Sequence, residues 1–486
     1  MKSFKLVLLL TLCLGLTACN KDDKGGDKKS SAFASGTARF EWSAQTSENA
    51  EIKILNQYGE PVVGAQILIG DAQGTPFRNN FVTTDGRGLA LVPNEWTTPE
   101  SVTVQANGYI RSTILRQPPG NLVIRMNPAY LAQYAEVKGN VTGLPVKNGD
   151  GLIDFALAMP VMGKKDLLNF DFGQVISPYT DTLSAAGQTS QVPSNLSLPK
   201  QSESYFINVT LNKPIYRMKV PNYGAKKFVA VRGRFNFKQV VGELRNGKPF
   251  YDLINMFSIL GSGTANTVVT EPLTNLDIPG TQIEHNTVLQ VNTPVTGADE
   301  IALVLSTVDQ AGDMIPTDVK RSTNGKVTAL QSFTGGQAYI VNVMKKQSEF
   351  MATTPGSDRM SATFLPYSIT APKFLPLIAN PSITNNDRFT ITVPNLSEVS
   401  GIYSLATSAI ISDLVEITDG TVKFMNPIRK WEVFGYGWTT QLNLPKWPMD
   451  AGTGRRRVEV NYVGSATSRD NNIDNATHVT HASADF

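Results

Sequence analysis

Ile52-Lys53-Ile54-Leu55, then Asn56-Gln57-Tyr58-Gly59, then Pro61-Val62-Val63-Gly64-Ala65-Gln66-Ile67-Leu68-Ile69: these three pieces decide the fold class. The first is a short alternating run, the second a turn, and the third returns to alternation. Apolar side chains at every second residue put one face of a strand against a core. The pattern then repeats. Thr84-Asp85-Gly86-Arg87-Gly88 is a turn, since Asp-Gly tolerates positive φ. Leu89-Ala90-Leu91-Val92, Val102-Thr103-Val104-Gln105-Ala106 and Leu122-Val123-Ile124-Arg125-Met126 are further strands. Short strands at even spacing, cut by Gly-rich turns, predict a β-sandwich over residues 47–128.

The same texture continues downstream. Residues 129–280 are read as a β-rich domain with strands at Glu136–Thr142, Tyr205–Leu211 and Phe228–Phe237. Within it, the polar stretch Ser177–Ser204 is expected to be a disordered loop. Pro249–Leu260 is its expected helix, with Leu253, Ile254, Phe257 and Leu260 on one face. Residues 281–378 and 379–486 each read as an immunoglobulin-like β-sandwich. The second ends in a polar tail, Ser465–Phe486, expected to be loose. The predicted class is therefore all-β, with several tandem β-sandwich domains. Hydrophobic residues make up 41% of the chain, enough for packed cores and too many for a disordered protein.

The N-terminus carries different information. Lys2 and Lys5 precede an apolar run, Leu6–Leu16, which ends in Leu16-Thr17-Ala18-Cys19. That run is shorter than the ~20 apolar residues a membrane-spanning helix needs, so residues 1–18 read as a signal peptide. The Leu-Thr-Ala-Cys ending resembles the lipobox of bacterial lipoproteins. The resemblance implies a diacylglycerol on the Cys19 sulfur, cleavage after Ala18, and a palmitate-type acyl chain on the new amine. Acyl chains bind a bilayer with about 0.8 kcal/mol per buried CH₂, so two or three hold firmly. The chain has two cysteines, Cys13 and Cys19. Cleavage would leave Cys19 alone, with no intramolecular disulfide to form. Residues 19–46 then form a lipidated tether, whose charged stretch Asn20–Ser35 cannot bury a core. Asn20, rather than Asp, follows the modified cysteine, which under the lipoprotein sorting rule implies the outer membrane.

The module at 47–128 is similar to the carboxypeptidase regulatory-like (transthyretin-like) domain. The matching pieces are Gly59-Glu60-Pro61-Val62-Val63-Gly64-Ala65, Thr84-Asp85-Gly86-Arg87-Gly88 and Ala106-Asn107-Gly108-Tyr109. The resemblance implies an accessory sandwich without catalytic residues.

Signatures of chemistry are sparse. The sequence holds no His-Glu-x-x-His, Gly-x-Ser-x-Gly or Walker loop. His478 and His481 could share a metal only with a further ligand, and a polar tail is the plainer reading. Asp470, Asn472 and Asp474 alternate as in a calcium loop, but Asn475 and His481 stand where its glycine and glutamate belong. Arg455-Arg456-Arg457 reads as the entry to a hairpin. No catalytic residue, metal or cofactor is expected. Three of the five tryptophans fall in the group Trp431, Phe434, Tyr436, Trp438 and Trp447. Either these side chains fill a core, or one face of the strand exposes an aromatic strip that stacks on glycan or anchors a protein. A net charge of +3 gives no nucleic-acid footprint.

The expected function is that of a lipid-anchored cell-envelope lipoprotein. It would act as a non-enzymatic binding or adhesion module toward a glycan or an envelope or surface protein. The alternatives are an envelope polysaccharide hydrolase with a carboxylate pair in 129–280, or a purely structural envelope lipoprotein. Replacing Cys19 with Ser should shift the protein from the membrane pellet to the soluble envelope fraction. Retention in the pellet would show that something other than Cys19 holds it there.

Overall fold

The computed structural model describes residues 40–44, 50–56, 59–70, 81–92, 95–127, 129, 134–144, 151–161, 176–185, 188–199, 204–211, 214–221, 224–248, 250–269, 273–310, 313–322, 324–349, 359–385, 389–419, 422–445, 454–469 and 475–486. With 62% strand and 5% helix, the protein is all-β, a multi-sheet sandwich-type fold.

The first strands are β1 (Phe40–Ser43), β2 (Glu51–Asn56), β3 (Gln66–Ile69), β4 (Phe81–Thr83), β5 (Leu89–Leu91), β6 (Glu100–Gln105), β7 (Arg111–Gln117) and β8 (Asn121–Met126). Next come β9 (Tyr134–Thr142), β10 (Leu152–Pro160), β11 (Ile176–Ala185), β12 (Gln188–Pro199), β13 (Ser204–Leu211), β14 (Ile215–Pro221) and β15 (Gly224–Asn236). Helices α1 (Phe237–Arg245) and α2 (Phe250–Leu253) and a 3₁₀ turn, Ile254–Met256, follow. Then come β16 (Phe257–Val269), β17 (Leu273–Asn275), β18 (Ile278–Pro279), β19 (Ile283–Glu284), β20 (Thr287–Asn292), β21 (Glu300–Gln310), β22 (Asp313–Arg321), β23 (Val327–Ser332) and β24 (Gln337–Lys346). The last are β25 (Arg359–Pro366), β26 (Ser382–Asn385), β27 (Phe389–Thr392), β28 (Tyr403–Asp419), β29 (Val422–Tyr436), β30 (Gln441–Asn443), β31 (Arg456–Ser465) and β32 (His478–Asp485).

The chain forms two compact units rather than four beads. A central unit contains Leu131–Met351 and Ala362–Phe374. A split unit is assembled from Gly36–Tyr130, Ala352–Ser361 and Leu375–Phe486. The expected boundary at 280 is bridged: β19 joins the sheet ordered β11-β12-β13-β10-β15-β16-β19. That sheet packs Ala156, Ala158, Phe228 and Ala230 against Val137, Val141, Tyr216 and Met218 of the β14-β9-β17 sheet. The expected disordered stretch holds a hairpin, β11 with β12, in antiparallel register from Ala185↔Gln188 outward. The expected helix at Pro249–Leu260 shortens to α2 and its 3₁₀ turn, because Phe257 already pairs with Phe235 as a strand residue. Unforeseen α1 follows directly on β15.

In the split unit the N-terminal module and the C-terminal segment share a sheet. Its strands run β32-β31-β28-β29-β7-β6-β3-β4, and the joint is the parallel pair β29–β7. Each end is covered by a smaller sheet on a different face. Val102, Val104, Ile67 and Ile69 pack with Ile52, Ile54, Leu122 and Ile124 of the β1-β8-β2-β5 sheet. Ile411, Val433, Val458 and Val460 pack with Ile391 and Leu442 of the β26-β27-β30 sheet. The two faces follow from strand alternation: Val102 and Val104 lie opposite Ile114 and Ser112 across β7, while Val433 lies opposite Thr113.

At the joint each segment contributes to the other's core, and β7 carries a bulge against β6. Between Gln117 and Ile114, β7 carries Leu115 and Arg116 against a single residue of β6, and Arg116 takes φ 51°. Strand alternation turns Ile114 into the N-terminal core and the next residue, Leu115, into the C-terminal one. In return, Tyr436 packs against the N-terminal core. Trp431 is 5% exposed, donates its indole N–H to Thr113 Oγ1 at 2.8 Å, and lies under the Arg111 guanidinium at 4.6 Å. Thr113 Oγ1 is also 2.8 Å from Thr103 Oγ1. Glu432 accepts Asn127 Nδ2 at 3.2 Å, and Tyr436 Oη donates to Gln117 Oε1 at 3.1 Å.

The Thr84–Gly88 turn behaves as its residues dictate. Asp85 accepts the backbone N–H groups of Arg87 and Leu89 at 2.8 and 2.9 Å, and these bonds hold its carboxyl below the usual range. Gly88 has φ +72°, and a Cβ there would meet Ile54 O at 2.6 Å, so only glycine fits.

Trp431→Ala should destabilise the split unit by about 3–5 kcal/mol, and Thr113→Val by about 1–3 kcal/mol through loss of the indole's acceptor. In urea unfolding, the double variant should cost less than the two losses added, because both act at one joint. Strict additivity would show that the two residues stabilise separate modules.

Candidate functional site

A cleft of about 610 Å³ opens in the central unit. Its charged and hydroxyl lining comes from Lys248, Asp252, Glu300, Arg321, Ser322 and Lys326. The walls are braced before any ligand arrives. Antiparallel pairing of β21 with β22 brings Leu303 opposite Arg321, and Ser322 N–H donates to Ala302 O at 2.9 Å. The turn after β22 folds back on the segment before β21. Thr296 N–H donates to Asn324 Oδ1 at 2.9 Å, Asn324 Nδ2 donates to Thr296 O at 3.1 Å, and Thr293 Oγ1 donates to Lys326 O at 2.7 Å. Gly325, at φ +69°, closes this turn. From the other wall, Asn255 Oδ1 accepts Arg321 N–H at 2.8 Å.

The ionisable groups fall into two sets. Arg321 is ion-paired with Asp252 and lies over the Tyr251 ring at 5.2 Å. Lys248 is 3.2 Å from Glu243. Glu300 Oε2 accepts the Gly297 N–H at 2.7 Å and has no ion pair among the described residues. The Lys326 side chain is exposed and likewise has no ion pair among the described residues. Ser322 is 8% exposed, and its hydroxyl has no hydrogen-bond partner among the described residues. Ala298, Ile301 and Ala302 supply apolar lining.

Four of the five residues of the aromatic group are described, and they belong to the split unit. Trp431 and Phe434 are buried and point to opposite faces of β29. Tyr436 and Trp438 are half-buried. The Trp438 indole donates to Val463 O at 2.9 Å, and its ring sits 6.3 Å from Tyr462. Trp447 lies outside the described residues, as do Cys19 and the alternating Asp470, Asn472 and Asp474. The aromatic residues that can be placed serve the β29–β7 joint and the C-terminal core, so core filling is what the structure shows for Trp431 and Phe434.

The tail expected to be loose contains β32, which is paired along its length with β31. His478 and His481 are both buried in it. Three residues apart on a strand, they face opposite sides: His478 Nδ1 meets Thr477 Oγ1 at 2.7 Å, while His481 Nδ1 meets Asn461 Oδ1 at 2.9 Å. They cannot grip one metal ion together. The three arginines are engaged in ion pairs rather than free. Arg457 is buried and holds Asp485 at 2.7 Å, Arg456 is 3.3 Å from Asp413, and Arg455 is 3.8 Å from Asp485.

Sequence reasoning passed over Ser322, Lys326 and Glu300, which belong to no motif. Asn324-Gly325, a strong hairpin turn signal, is the one local cue that β22 and β23 meet there.

A second unpredicted pair is Ser262 with His285. His285 Nδ1 is 3.0 Å from Thr317 O and Nε2 is 2.9 Å from Ser262 Oγ. A carbonyl only accepts, so the proton sits on Nδ1 and Nε2 accepts from the serine hydroxyl. That is the polarity of a nucleophile with its base. Ser262 is 0% exposed, however, so no substrate reaches it. The pair is a clasp between β16, β19 and β22, with the imidazole stacked on Phe333 at 5.6 Å.

No protein-family model matches this chain, and no curated protein matches it.

Burial pushes the His285 imidazole down to about 4, against a smaller upward pull from its bond to Thr317 O. Unfolded, it titrates near 6.5. Between those two values the unfolded chain binds more protons than the folded one, so stability is full above the upper value and falls as pH drops. The loss should total about 3 kcal/mol. His285→Gln, which keeps a donor and an acceptor, should flatten this part of the pH–stability curve in urea unfolding. An unchanged slope would assign the effect to other groups.

Proposed function

We propose that this chain is a lipid-anchored envelope protein that binds a ligand or partner without transforming it. The lipobox ending at Cys19 supports a lipid anchor, and Asn20 supports the outer membrane. The charged stretch after Cys19 supplies a spacer between the lipid and the folded units. Its partners are then the membrane, through the lipid, and a glycan or an envelope or surface protein. Nothing in its charge favours nucleic acid.

The observation that carries this reading is how the cleft uses its carboxylates. Glycoside hydrolysis needs one carboxyl to deliver a proton and a second to attack or to activate water. Here Asp252 is occupied by Arg321 and Glu300 accepts a backbone N–H. Both are arranged as fixed acceptors, while Ser322 and Lys326 are among the residues that line the cleft. With the walls already braced, little ordering cost falls on binding.

Incubating the lipidated protein with isolated peptidoglycan and envelope polysaccharide should retain it on the polymer without releasing soluble fragments. Release of new reducing ends or muropeptides would establish hydrolysis and contradict the reading.

A further inference from the structure

We infer that the cleft takes a small zwitterion, a short peptide with a free amino and a free carboxyl terminus. The inference rests on reading the cleft as a binding site. It starts from the charges left after internal pairing. Lys248 is matched by Glu243 and Arg321 by Asp252. What remains among the lining residues is one cation, Lys326, and one anion, Glu300. A ligand of single charge would leave one of them without a counter-charge, whereas a zwitterion answers both.

Ser322 supplies an independent sign. The residue lines the cleft, and its buried hydroxyl has no partner among the described residues. Burying such a group unpaired is unfavourable, and a ligand oxygen would relieve it. Four residues from Ser322, past the apex of the same turn, Lys326 brings an ammonium. Hydroxyl and ammonium donors together suit a carboxylate. Glu300, whose Oε2 is held by Gly297 N–H, keeps Oε1 for an ammonium. Between them, Ala298, Ile301 and Ala302 offer apolar contact for small aliphatic side chains. The volume, about 610 Å³, lies in the range of clefts that enclose drug-sized ligands. A single amino acid would leave most of that space to water.

Isothermal titration of the full processed chain with trialanine tests this, against three controls: N-acetyl-trialanine, trialanine amide and a neutral disaccharide. Trialanine should bind, and capping either terminus should weaken binding at least tenfold. Glu300→Gln keeps the Gly297 bond but should erase discrimination against the acetylated peptide. Lys326→Met keeps the aliphatic stem but should erase discrimination against the amide. Ser322→Ala should raise stability slightly while weakening trialanine binding. Equal binding of capped and free peptides, or binding of the disaccharide alone, would overturn the zwitterion while leaving a binding cleft. No binding of any probe would remove both.

Discussion

Where β29 runs beside β7, the Trp431 indole is bonded to Thr113 and roofed by Arg111, and the split unit depends on that contact. Two segments about three hundred residues apart meet there in parallel register, Trp431 opposite Arg111 and Phe434 opposite Ile114. A parallel pair makes no hairpin, so chain connectivity gives it no local help. Burial of the indole and exchange of side chains supply the stability instead. Leu115 enters the C-terminal core, and Tyr436 packs on the N-terminal one. Neither segment completes its own core without the other.

This arrangement assigns the aromatic side chains to architecture. A tryptophan buries on the order of 200 Å², worth several kcal/mol in a core, which outweighs the roughly 0.5–1 kcal/mol of an exposed cation–π contact. Trp431 therefore serves stability, and Trp438 has its indole N–H committed to Val463 O. Several buried polar groups of the same unit are engaged too: Glu432 with Asn127, Arg457 with Asp485, His481 with Asn461. In the central unit Ser322, Lys326 and Glu300 line an open volume beside a braced turn.

The sequence made part of this legible. Strands β2, β5 and β8 lie where alternation and Gly-rich turns put them, because each is more deeply buried on one side. The neighbouring β7, Arg111-Ser112-Thr113-Ile114-Leu115-Arg116-Gln117, shows no such alternation. Residues Arg111–Leu115 are buried on both faces, and Arg111 and Thr113 bond to Gln105 and Thr103 of the neighbouring β6 rather than facing water. The same reason hid β32, whose His478-Val479-Thr480-His481 reads as a solvated tail yet is buried by pairing with β31. Ser177–Ser204 looked like a loop because serine and proline outnumber apolar residues, although backbone pairing of β11 with β12 asks little of side chains. Pairing of β19 across 280 and of β29 with β7 left no trace in the sequence, since long-range register leaves no local mark. The cleft was illegible for a related reason: its residues come from three stretches that only the β21–β22 pairing and α2 bring together.

The shared sheet is tested most directly by amide hydrogen exchange along β7 and β29. As an interior strand, β7 donates to neighbours on both sides. Thr113, Ile114 and their partners at 431–434 should then exchange at one slow rate, through cooperative opening of the whole split unit. If β7 were instead the free edge of an independent N-terminal sandwich, β29 would be an edge as well, and every second amide along each would exchange rapidly. That alternation would contradict the joint on which the architecture rests.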